Sequence, residues 1–130
     1  MTPQQANRYI GCPWVSGGDD IESGINCWNF LRYVQREYFG IDVPTAELGD
    51  PMAELFTHQI QSGDWAPVDR PFHGCGVQLK GGNDPHVGVW LDIEGGGVLH
   101  ALEGHGVVWT RRNRLGSMGF VRLKFYRLQK

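Results

Sequence analysis

The chain has 130 residues, of which 41% are hydrophobic and 20% charged, a composition that supports one globular domain over residues 1–130 rather than a disordered chain. Its net charge of −2 hides two unlike parts: residues 1–110 carry 5 basic and 14 acidic groups, a net −9, whereas residues 111–130 carry 7 basic groups and none acidic. No apolar run approaches the roughly 18 residues of a membrane span, Met1 to Val15 lacks the pattern of a secretory signal, and the acidic body carries no nucleic-acid motif, so neither a membrane nor a nucleic-acid partner is expected.

Glycine, at 19 residues, is about twice its usual ~7% share, which favours tight turns and β-structure over long helical bundles. Thr2-Pro3 ahead of Gln4 to Ile10, with Gly11 beyond, predicts a short first helix. Gly11 to Gly24, with Pro13, Gly17 and Gly18, reads as loop. Cys27, Phe30, Leu31, Val34 and Tyr38 then fall at helical spacing, with Asn26 as N-cap and Gly40 as the stop. A further helix is expected from Pro51 to Gln61, burying Leu55, Phe56 and Ile60 behind an Asp50 cap.

From Gly74 onward the pattern changes to short β-branched and aromatic runs: Val77 to Lys80, His86 to Asp92, Gly97 to Leu102, Val107 to Thr110 and Phe120 to Leu128. Helices first and strands afterwards make an α+β order with an antiparallel sheet. The basic end, with Arg111, Arg112 and Arg114, either lies against the acidic remainder or meets an anionic partner.

Cys27 stands at a helix start, where unpaired N–H groups and the helix dipole favour a thiolate and lower a thiol's pKa. As a nucleophile it needs a base and a group that orients the base. His86 opens one apolar strand and His100 lies within the next; an odd-length connection puts both imidazoles on one face, an even one on opposite faces. Three cysteines without a CxxC pair encode neither a disulfide framework nor a cysteine-rich zinc module. His73-Gly74-Cys75 and the pair His100 and His105 are only fragments of a ligand set, so no metal and no cofactor is expected. His58 and His105 read as surface residues. Cys12 and Cys75 read as buried thiols, with a bridge between them left open.

Three blocks resemble the NlpC-type cell-wall peptidases, a papain-like cysteine peptidase family. Tyr9-Ile10-Gly11-Cys12-Pro13-Trp14-Val15-Ser16-Gly17-Gly18 is similar to that family's glycine-ending loop. Asn26-Cys27-Trp28-Asn29, running on to Phe39-Gly40-Ile41-Asp42-Val43-Pro44, resembles its nucleophile helix in the branch found in phage tails. His86-Val87-Gly88-Val89-Trp90-Leu91 with Leu99-His100-Ala101 resembles its histidine strands. The resemblance implies a papain-like α+β fold, with the nucleophile helix packed on an antiparallel, barrel-like sheet. It implies Cys27 as nucleophile, His86 as base and His100 as the group orienting it, with Trp14, Trp28 and Asn29 toward substrate. The implied substrate is a peptidoglycan stem peptide, plausibly cut at D-γ-glutamyl-diaminopimelate by a protein made in the bacterial cytoplasm and carried to the periplasm or wall by a phage tail or related particle. Trp14 replaces a usual tyrosine, and the residues flanking Cys27 depart from the common Asp-Cys-Ser-Gly. A structural tail protein that no longer cleaves, and an acyltransferase or amidase on the same scaffold, are the alternatives.

Overall fold

A computed structural model describes residues 1–44, 61–81 and 86–128. The helix expected over Pro51 to Gln61, and His58 with it, lies outside these residues except for Gln61.

Helix α1 (Pro3–Asn7) begins with a capping box: the Gln5 N–H donates to the Thr2 hydroxyl at 3.2 Å and the Thr2 N–H to the Gln5 side chain at 2.8 Å. Beyond Asn7 the backbone tightens into local turns, with Arg8 N–H donating to the Gln5 carbonyl at 3.3 Å and Tyr9 N–H to that of Ala6 at 3.1 Å, and the chain then ties to a distant strand. Gly11 N–H donates to the Val107 carbonyl, and Val107 N–H to that of Cys12, both at 2.9 Å. The segment read as loop also contains a small ribbon, β1 (Asp19–Asp20) against β2 (Gly24–Ile25).

Helix α2 (Cys27–Phe39) follows the apolar spacing closely. The Asn26 side chain accepts the Asn29 N–H at 2.8 Å, and Gly40 closes the helix in the left-handed region at φ 67°. Cys27, Phe30, Leu31 and Val34 are buried, joined by Gln35, whose amide donates to the Gly74 carbonyl at 2.8 Å.

Six strands form one antiparallel sheet: β3 (Trp65–Val68), β4 (Gly76–Lys80), β5 (His86–Leu91), β6 (Gly97–Leu102), β7 (Gly106–Arg111) and β8 (Arg122–Leu128), in the order β3-β8-β4-β5-β6-β7. The spacing pattern does not reveal β3, a four-residue strand with Pro67 inside; proline is tolerated there because the strand lies at the sheet edge. Strand β8 starts at Arg122 rather than Phe120, since two 3₁₀ turns, Arg112–Arg114 and Gly116–Met118, bring the chain back beneath the sheet. Among the described residues β3 and β7 form the two edges of this sheet, and no pairing between them closes it into a barrel.

Apolar side chains pack on both faces. Helix α2 lies against Val87, Val89, Leu91, Leu99 and Ala101, while Val77, Leu79, Trp90, Val98 and Leu115 form a second cluster on the other side.

Candidate active site

Cys27 is the first residue of α2 and only 6% exposed. Its sulfur meets the N–H groups of Cys27, Trp28 and Val87, two from the open first turn of the helix and one from β5. The Val87 N–H reaches it because the β5–β6 pairing runs from Leu91↔Gly97 only as far as Val89↔Leu99. These donors pull the thiol pKa down, but burial outweighs them and pushes it up to about 11. The expectation of a lowered thiol pKa at the helix start is therefore corrected: the dipole acts as argued, and desolvation of the anion is larger.

The histidines are set by parity. Five residues, Asp92 to Gly96, connect β5 and β6, so His86 and His100 share a face. Continuing the register Val89↔Leu99 by one residue puts Gly88 opposite His100, with His86 diagonal to it. The space beside His100 exists because residue 88 has no side chain; a Cβ there would lie 2.9 Å from the His100 Cβ and 2.4 Å from the Val98 Cγ1. Nε2 of His86 is 2.6 Å from Nδ1 of His100. Alternation puts both imidazoles on the face of β5 and β6 away from the one that packs α2, and the thiol meets β5 through its backbone at the strand's first residues.

Two further residues complete this row. Thr110 on β7 is 6% exposed and places its hydroxyl 3.0 Å from Nε2 of His100. Phe120 stacks flat on His86, with centroids 5.2 Å apart and planes at 10°, and stands edge-on to His100. Burial pushes His86 down to about 4 and His100, which also faces His86, to about 3. Both rings are neutral at pH 7. Nothing in the local sequence marks Thr110 or Phe120 as site residues; the β6–β7 register, Val98↔Thr110, is the only signal that could have found the threonine.

The three expected substrate contacts separate. Trp14 is half-buried, and its neighbour Pro13 accepts the Ile25 N–H at 3.0 Å, which holds the loop two residues from Cys27. Trp28 is 1% exposed, stacks on Trp65 at 5.4 Å and donates to the Pro44 carbonyl at 3.0 Å; this core position leaves its ring no face for substrate, correcting the expectation. Asn29 donates to the Gly18 carbonyl at 2.9 Å and so fastens the glycine loop to α2. That loop cannot carry a larger residue at 18, where a Cβ would lie 2.4 Å from the Gly24 oxygen.

Among the described residues no group of three or more His, Cys, Asp or Glu is placed to hold a metal. Rather than ligating, His73 engages the Met1 carbonyl at 2.9 Å and accepts the Asp92 N–H at 2.9 Å. Cys12 and Cys75 are free thiols, with no bridge between them. No helix among the described residues is long and apolar enough to cross a membrane.

No family model matches the chain. It is 33% identical over 90 residues, 63% of its length, to Protein P54 of Enterococcus faecium, and 36% identical over 63 residues, 47% of its length, to the Gamma-DL-glutamyl hydrolase of Bacillus subtilis strain 168. The matches span only 16% and 15% of those two proteins. Among solved structures, the NlpC/p60 domain of the peptidoglycan hydrolase SagA matches with a TM-score of 0.61 and 25% identity, covering 94% of this chain and 92% of that one. Because this likeness runs through nearly all of both chains, and because the cysteine helix and histidine strands follow one another in the order the motifs set out, the chain has the papain-like fold of an NlpC/p60 domain.

Proposed function

We propose that the chain is a cysteine endopeptidase that hydrolyses peptidoglycan stem peptides. The observation that carries this reading is the polar row itself: an imidazole at the strand that touches the Cys27 sulfur, backed by a second imidazole at 2.6 Å. Nε2 of His86 is committed to His100, which leaves Nδ1 to take the thiol proton. The sulfur then attacks the amide carbonyl, and the Cys27 N–H in the first turn of the helix stabilises the oxyanion, an interaction worth roughly 2.7–4 kcal/mol per donor. His86 passes the proton to the leaving amine, and water cleaves the thioester to release the acid and restore the thiol. Burial keeps the resting pair as thiol and neutral imidazole, so charge develops only as the sulfur attacks. The names of the solved neighbour and of the B. subtilis relative support peptidoglycan and a glutamyl bond as substrate, and D-γ-glutamyl-diaminopimelate is the linkage we propose.

The test is digestion of purified peptidoglycan followed by mass analysis of the fragments. New amino termini at diaminopimelate, absent with Cys27→Ala, are expected; cleavage that survives the substitution would overturn the assignment. The sequence Cys27-Trp28 with Phe39-Gly40-Ile41-Asp42-Val43-Pro44 supports delivery by a phage tail or tail-derived particle. Co-sedimentation of the chain with such particles checks that delivery. One observation favours a second reading, a tail protein that keeps the fold without cleaving: the burial that raises the Cys27 thiol. Intact peptidoglycan after digestion with the parent protein would select it.

A further inference from the structure

We propose that Thr110 is a positioning residue that sets which nitrogen of His86 carries the proton, and so keeps Nδ1 bare and basic. The proposal rests on His86 as the base, and goes beyond it to the group that fixes its tautomer.

Four side chains form one row across the sheet and the turn beneath it. His86 Nε2 is 2.6 Å from His100 Nδ1, His100 Nε2 is 3.0 Å from the Thr110 hydroxyl, and that hydroxyl is 3.5 Å from the Met118 sulfur. A thioether has no proton to give, so it can only accept. The Thr110 hydroxyl proton therefore points to Met118, and its oxygen accepts from Nε2–H of His100. Neutral His100 then has a bare Nδ1, which accepts from Nε2–H of His86. Neutral His86 in turn has a bare Nδ1.

The opposite order, with Thr110 donating to His100 and His100 to His86, leaves the Met118 contact without a hydrogen bond. It also puts a proton on the nitrogen that must receive one. Only the first order makes a hydrogen bond of all three contacts. The three members that pass the proton order along are buried, His86, His100 and Thr110 being 8%, 0% and 6% exposed with Phe120 against both rings, while Met118 at the end of the row is 39% exposed. Strand register supplies the alignment: His100 faces Val108, so Thr110 stands on the same face one diagonal step away, as His86 does on the other side.

Nitrogen–proton correlation spectra of histidine-labelled protein at pH 7 read the tautomers without any assay of cleavage. Both His86 and His100 are expected to carry their proton on Nε2. In Thr110→Val, which keeps the shape and removes the hydroxyl, the proton positions shift toward Nδ1. With that shift, kcat falls roughly three- to tenfold, the scale of one lost hydrogen bond, at unchanged KM. Thr110→Ser restores both. A proton on Nδ1 of either ring in the parent protein overturns the proposal, as does a Thr110→Val protein with parental spectra and kcat. If Thr110→Val fails to fold, the parent and Thr110→Ser spectra still decide the proton order. Parental spectra as expected in a protein that cleaves no stem peptide would uphold the proton order and sink the proposed function instead.

Discussion

Cys27 combines two opposed influences that local sequence cannot weigh against each other. Three N–H groups favour the thiolate, and burial at 6% exposure disfavours it more. Alkylation of the native protein should therefore be slow at neutral pH and still rising past pH 9, whereas in the unfolded chain it should level off once the free-thiol value near 8.5 is passed. Iodoacetamide labelling across pH, located by mass spectrometry, checks this. Cys27→Ala should remove cleavage and leave the circular dichroism spectrum unchanged, because the loss is one sulfur at the helix start. His86→Ala should cost about 10²–10⁴ in kcat, the usual contribution of a general base. His100→Ala should cost less, since water can occupy part of the space and orient His86 imperfectly.

At the scale of elements, the site depends on small residues that let backbones close in. Gly88→Ala would bring a methyl against Val98 and His100, prising the second imidazole from the first. The expected outcome is a loss of kcat larger than the loss of stability, measured by peptide cleavage and urea unfolding on the same preparation. Equal parental activity would show that His100 does not need its present position. The start of α2 is held by side chains rather than by packing alone. Asn26 caps the helix while Asn29 ties in the Gly18 loop. Asn26→Ala should cost about 1 kcal/mol in urea unfolding, the ordinary worth of an N-cap.

Over the whole molecule, two neutral imidazoles are buried, and folding stability must depend on pH. Their folded-state values lie near 4 and 3, below the ~6.5 of an exposed histidine. The unfolded chain therefore binds more protons than the folded one between about pH 6.5 and those values. Stability should be complete above pH 6.5 and fall by on the order of a few kcal/mol as the pH drops through this window. His100→Asn should make the fall shallower, as read from urea midpoints at pH 4 to 7. Two residues of the basic end are engaged within the fold: Arg111 Nε donates to Glu94 at 2.6 Å, and Arg112 lies over the Trp90 ring at 5.6 Å. The first of these is an exposed pair, worth under about 1 kcal/mol.

Periodicity and local capping chemistry settled α2 and most of the sheet, because a 13-residue apolar stripe between Asn26 and Gly40, and strands punctuated by glycine, are encoded within short windows. The placement of Cys27 at a helix start and of His86 and His100 on two neighbouring strands was legible for the same reason. The edge strand Trp65–Val68 was not, since four residues with a proline carry no period and are strand only through pairing with β8. Nor could sequence assign Trp28 to the core, Thr110 and Phe120 to the histidine row, or the thiol to its raised pKa. Each of these depends on groups distant in the chain brought within a few ångströms, and on the water they exclude, which only the packed molecule decides.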